Sequence, residues 1–96
     1  MKMAMNTESA ELVALQALGW LASDEDLLPV FLGTSGASVE DLKTQAPDAT
    51  FLAAVLDFIT MDDAWVMRFC DAGNLKYDTP MIARQVLLGE AQMHWT

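Results

Sequence analysis

Nine residues constrain this chain more than any others: Phe51-Leu52-Ala53-Ala54-Val55-Leu56-Asp57-Phe58-Ile59, an apolar run that only Asp57 interrupts. Leu52, Val55, Leu56 and Ile59 recur at the spacing of one helical face, and Phe51 and Phe58 widen the stripe. Asp48 and Thr50 stand before the run as helix starters, and Asp62-Asp63 restart the chain after it. The run predicts a central helix, about Ala49 to Thr60, with helices from both sides laid against it. It carries no chemistry of its own.

The flanking sequence divides into further short helices. From Thr7 or Glu8 to Ala22 the chain is apolar nearly all round, with Gln16 the one polar side chain between Glu11 and Ser23. Such a helix is buried on several sides or takes part in an oligomer contact. Gly19 beside Trp20 suggests a close helix crossing, with the indole filling the space next to it. Ser23 is the expected N-cap of a second helix, followed by acids where the helix dipole is positive. Leu27, Leu28, Phe31 and Leu32 form its apolar side, Pro29 predicts a bend or a shortened helix, and Gly36 fits a left-handed exit. Ser38 and Asp41 have the spacing of a capping box for a third helix that stops before Pro47. A fifth, roughly Asp62 to Ala72, buries Trp65, Val66 and Phe69 and ends at Gly73-Asn74. Thr79-Pro80 opens a sixth, with Thr79 as N-cap and Pro80 at the first helical position. Its inner face is Ile82, Ala83, Val86 and Leu87, and Gly89 weakens its end. No stretch alternates apolar and polar long enough for a strand.

These patterns predict an all-α fold: a compact orthogonal bundle of five or six short helices around the Phe51–Ile59 helix. Residues 1–96 form a single domain, with 1–6 and 91–96 as loosely ordered tails. An apolar fraction of 53% is too high for a disordered chain. The one cysteine, Cys70, rules out an internal disulfide framework and fits a reducing compartment. No apolar run reaches the roughly 20 residues of a membrane helix, and Met1–Asn6 lacks the apolar core of a secretory signal. A cytoplasmic location is expected, with no membrane partner.

Five basic residues against fourteen acidic ones give a net charge of −9. Such a surface repels phosphate backbones, so unaided nucleic-acid binding is disfavoured. The helix–glycine turn–helix pattern from Leu32 to Leu42 has the outline of a DNA-binding helix-turn-helix. Its second helix opens Val39-Glu40-Asp41, however, where a DNA reader needs Arg, Lys, Asn or Gln; only Lys43 and Gln45 suit the task.

The carboxylates resolve into helix starters. Glu8, Glu11, Asp24, Glu25, Asp26, Glu40, Asp41, Asp48, Asp62, Asp63 and Asp78 all fall at or near predicted N-termini, where each contributes about 0.3–1 kcal/mol as cap or dipole partner. None has the spacing of a calcium loop, and no metal site is expected. Asp57 is the exception, being inside the central helix on a strip with Ala53, Ala54, Thr60 and Met61. It either faces solvent or forms a partly buried ion pair with Arg68 or Arg84. Cys70 and His94 are the only classical nucleophile and the only histidine. Cys70 is expected to be a buried, inert thiol, and a thiol enzyme would lack a third orienting group. No phosphate loop, zinc spacing or Ser/His/Asp arrangement is present. No catalytic or cofactor-binding residue is assigned, and no enzyme activity is expected.

The segments Ala17–Ala22, Phe31–Gly36, Asp41–Lys43 and Phe51–Phe58 resemble a small bacterial family known only as a domain of unknown function, the one numbered 3572. The likeness runs roughly from Glu11 to Gln85, on core and turn residues, and implies a shared fold. It implies no activity, ligand or catalytic residue. What remains is a non-catalytic protein-interaction or regulatory module, with a helix-turn-helix DNA binder as the alternative. A protein partner is expected, and so is a homodimer through the first helix or the chain ends, because apolar patches of this breadth are seldom left open to water.

Overall fold

The computed structural model describes residues 5–44 and 48–92. The order is α1 (Thr7–Ala22), α2 (Leu27–Ser35), α3 (Val39–Thr44), α4 (Ala49–Ile59), α5 (Asp63–Gly73) and α6 (Thr79–Gln92). The fold is all-α, with no strand among the described residues.

The core is built where α1, α4 and α6 meet, and these three helices share most of the long-range contacts. On α4, Phe51, Leu52, Ala53, Val55, Leu56, Phe58 and Ile59 are buried, so the central run does what its periodicity predicts. Full burial of Leu56 alone stabilises the fold by about 1.5–3 kcal/mol. On α1 the buried face is Ala10, Val13, Ala14, Ala17, Leu18 and Leu21. Three fully buried alanines let α4 and α6 lie close to the α1 backbone. Gly19 does not mark the close crossing: it is exposed, and a Cβ built there meets nothing within 4 Å. Trp20, half-buried, instead packs on Phe69 of α5 with ring centroids 5.8 Å apart.

A chain of rings pins α2 and α5 to α4. Phe31 packs edge-on against Phe51 (6.2 Å) and Phe58 (5.3 Å), two turns apart on α4. Phe58 stacks in turn on Trp65 of α5 at 4.8 Å. Such pairs add about 0.5–1.5 kcal/mol each beyond the area they bury. Phe69 is buried as expected, whereas Trp65 and Val66 are only partly so.

Several helix ends differ from the sequence expectation. Asn6, assigned to the tail, caps α1 by accepting from the Ser9 amide at 2.7 Å, and Met5 packs against the core. Ser23 closes α1, its hydroxyl donating to the Trp20 carbonyl. Asp24 takes over the start of α2, accepting from the amides of Asp26 and Leu27. Both amides share one carboxylate oxygen, Oδ1, and its negative charge suits the positive end of the helix and strengthens the bonds. Pro29 then falls in the first turn of α2, where a missing N–H costs no helical hydrogen bond, so of the two expectations the helix is shortened, starting at Leu27, rather than bent. The Ser38–Asp41 capping box is formed in both directions, and Gly36 is left-handed at φ 75°. Asp62 caps α5 through the Ala64 and Trp65 amides, and Asn74 ends it in a left-handed conformation. In α6 the Ile82 amide reaches the Asp78 carbonyl, which moves the cap position from Thr79 to Asp78. α6 runs past Gly89 to Gln92. Ala83 and Leu87 form the inner face of α6, while Ile82 is 40% exposed.

Candidate interaction groove

The expected homes for chemistry are occupied by structural work. Asp57 is paired with Arg84 at 2.8 Å while its side chain stays 56% exposed, so both readings of this residue hold in part. Arg68 pairs with Asp24 instead, at 2.9 Å, and its guanidinium lies 5.8 Å from the Trp20 ring. The Asp24 carboxyl is held below the usual carboxylate range, chiefly by the Leu27 amide, with the Asp26 amide and Arg68 adding to it. The Cys70 thiol is fully buried and donates to the Lys76 carbonyl at 3.3 Å. Burial, with the Asp71 and Asp78 charges behind it, pushes that thiol above its ordinary range, opposite to what a nucleophile requires. His94, Gln45, Pro47 and the Met93–Thr96 end lie outside the described residues. Among the described residues no three His, Cys, Asp or Glu side chains converge on a metal position, and no helix is long and apolar enough to cross a membrane.

The clefts divide by lining. One of about 360 Å³, between α2, α3 and α4, includes Asp41 and Asp48, but both carboxylates are spent on capping. Another of about 220 Å³ includes Asp57, already bound to Arg84. A groove of about 400 Å³ is different, being lined by Leu15, Leu18, Gly19, Ala22, Leu28, Val39 and Leu42. Every one of these residues is apolar.

Its geometry follows from the faces of α1. The alanine-rich face is in the core, so Leu12, Leu15, Gly19 and Ala22, spaced by three and four residues, lie on the outer side. Leu12 is 59% exposed and Leu15 42%. The short α2 and α3 supply the opposite wall through Leu28, Val39 and Leu42. Gly19 and Ala22 keep the C-terminal end of the α1 wall low, and a Cβ built at Gly19 meets nothing within 4 Å. Excess hydrophobicity in the first helix was legible in the sequence; the second wall was not, because α3 offers only Val39 and Leu42 to signal it.

The match that decides the family extends over nearly all of this structure. Residues 7–90 match the family described as protein of unknown function, DUF3572. The chain belongs to the DUF3572 family. No curated protein and no solved structure matches it. Every residue lining the groove, and all six helices up to the last turn of α6, fall within the DUF3572 match. The groove is therefore part of the DUF3572 unit itself.

Proposed function

We propose that this DUF3572 chain is a non-catalytic protein-interaction module that works from the α1–α2–α3 groove in the cytoplasm. The observation that carries this reading is the exposed Leu12–Leu15–Gly19–Ala22 stripe, continuous with an all-apolar groove. Open apolar surface of this kind is costly to keep in water and marks contact sites. The polar groups that a catalyst would use serve instead as helix caps, as partners of Arg68 and Arg84, or as a buried thiol. A DNA-reading role gains nothing from the α2–α3 corner. Its second helix is only six residues long, carries Glu40 and Asp41 in its first turn, and turns Val39 and Leu42 to the groove.

Site-specific photo-crosslinking tests the reading. A photoreactive phenylalanine analogue is placed at Leu15 or Val39 in the groove, or at exposed Gln85 on α6, in chain expressed in its own cells. The expected result is a discrete adduct from positions 15 and 39 and none from 85. Absence of adducts at both groove positions, or equal labelling from position 85, would remove the support for the groove.

A further inference from the structure

We propose that the occupant of the groove is an amphipathic helix whose flanks carry lysine or arginine, an inference that rests on the interaction reading above. The shape suits a helix-in-groove site: an all-apolar groove whose α1 wall carries only Gly19 and Ala22 toward its C-terminal end, with open space over Gly19 where a partner backbone can come close. The charge around it selects the partner. Between Met5 and Thr44 the chain carries seven carboxylates and a single lysine, Lys43. Glu8 and Glu11 lie one turn before Leu12 and Leu15 on the same side of α1. Glu25 and Asp26 stand exposed beyond its other end, and Glu40 is exposed beside Val39. Asp24 is already neutralised by Arg68, so it is not counted in this rim.

An apolar floor inside a carboxylate rim is complementary to a helix with an apolar stripe and cationic flanks, and it repels an acidic one. The same rim works against a second copy of this chain. Two copies meeting groove to groove would set Glu8, Glu11 and Glu40 of each against the like charges of the other.

Two labelled synthetic peptides of about 18 residues test the proposal, long enough to span a helix the length of α1. Both carry leucines at helical a and d spacing; one has Lys and Arg on its flanks, the other Glu. Fluorescence anisotropy against the full chain is expected to show at least tenfold tighter binding of the basic peptide. That preference should shrink as salt rises from about 0.1 M to about 1 M, where the screening length falls from roughly 10 Å to roughly 3 Å. Gly19→Phe, which fills an open position, should weaken binding at least tenfold while Gln85→Phe leaves it unchanged, both variants keeping the wild-type helical circular dichroism spectrum. Equal binding of both peptides would overturn the charge inference and leave the interaction reading standing. No binding of either peptide, or a dimer by light scattering that Gly19→Phe converts to monomer, would overturn the basic-helix proposal. Only loss of the groove crosslinks as well would remove the interaction reading.

Discussion

The Nε of Arg84 donates to Oδ1 of Asp57 at 2.8 Å, tying α6 to the one polar side chain inside the central apolar run. The pair lies on the open edge of α4, with Asp57 more than half exposed. Ion pairs in that setting contribute about 0–1 kcal/mol. Asp57→Asn should therefore shift a urea melt by no more than that. Leu56→Ala, one residue away but fully buried, should cost about 2–5 kcal/mol. Equal losses for the two variants would mean that Asp57 holds the packing of α6, contrary to its exposure.

This pair also marks how far the sequence can be read. The helical face of Leu52, Val55, Leu56 and Ile59 was legible because hydrophobic periodicity is a local property of the chain. So were the Ser38–Asp41 box, the Gly36 and Asn74 exits and the start of α4 at Asp48, all set by residues within three or four positions. The choice between Arg68 and Arg84 as the Asp57 partner was not legible, since it depends on how α6 crosses α4. Which side of α1 enters the core was not legible, because the helix is apolar nearly all round. Val13, Leu18 and Leu21 join Ala10, Ala14 and Ala17 in the core, while Leu12 and Leu15 stay exposed. The groove is the consequence, and it forms only when α2 and α3 close the other side.

Asp24 should matter more than Asp57. It caps α2 through two amides, binds Arg68, and has a side chain only 12% exposed. Its carboxyl titrates below the ordinary value of 3.8 in the fold, so its contribution is present above that pH and is lost as pH falls through the lower folded value. Asp24→Ala is expected to lower Tm at neutral pH by more than Asp57→Asn does. The gap from wild type should hold down to the ordinary carboxylate range and close below it. A gap that persisted unchanged to about pH 2 would mean that the charge of Asp24 contributes nothing.

Two glycines should respond to alanine in opposite directions. Gly36 sits at φ 75°, where a Cβ is strained, so Gly36→Ala should destabilise by about 1–2 kcal/mol. Gly19 is in the body of α1 with open space around it, so Gly19→Ala should stabilise by about 0.5–1 kcal/mol. Thermal melts of both variants check this. A destabilising Gly19→Ala would show that something already packs over the groove floor in the free protein.

Cys70 should be chemically silent while the protein is folded. Burial disfavours the thiolate, so the thiol reacts with a disulfide reagent near pH 8 only as fast as the structure opens around it. The raised thiol adds stability below its ordinary range and loses it as pH rises toward the folded value. Comparing labelling rates in native buffer and in denaturant checks the first point. Equal rates would contradict the burial of Cys70 and reopen it as a reactive group.

The most direct test of the central claim is a backbone amide NMR map of the chain titrated with the basic amphipathic peptide. The account predicts that shifts concentrate on Leu12–Ala22, on Leu28 and on Ser38–Leu42, with α4 and the Asp57–Arg84 edge of α6 unchanged. Shifts centred on α5 and α6, or no shifts at peptide concentrations that saturate the amide signals of a known helix-binding control, would contradict it.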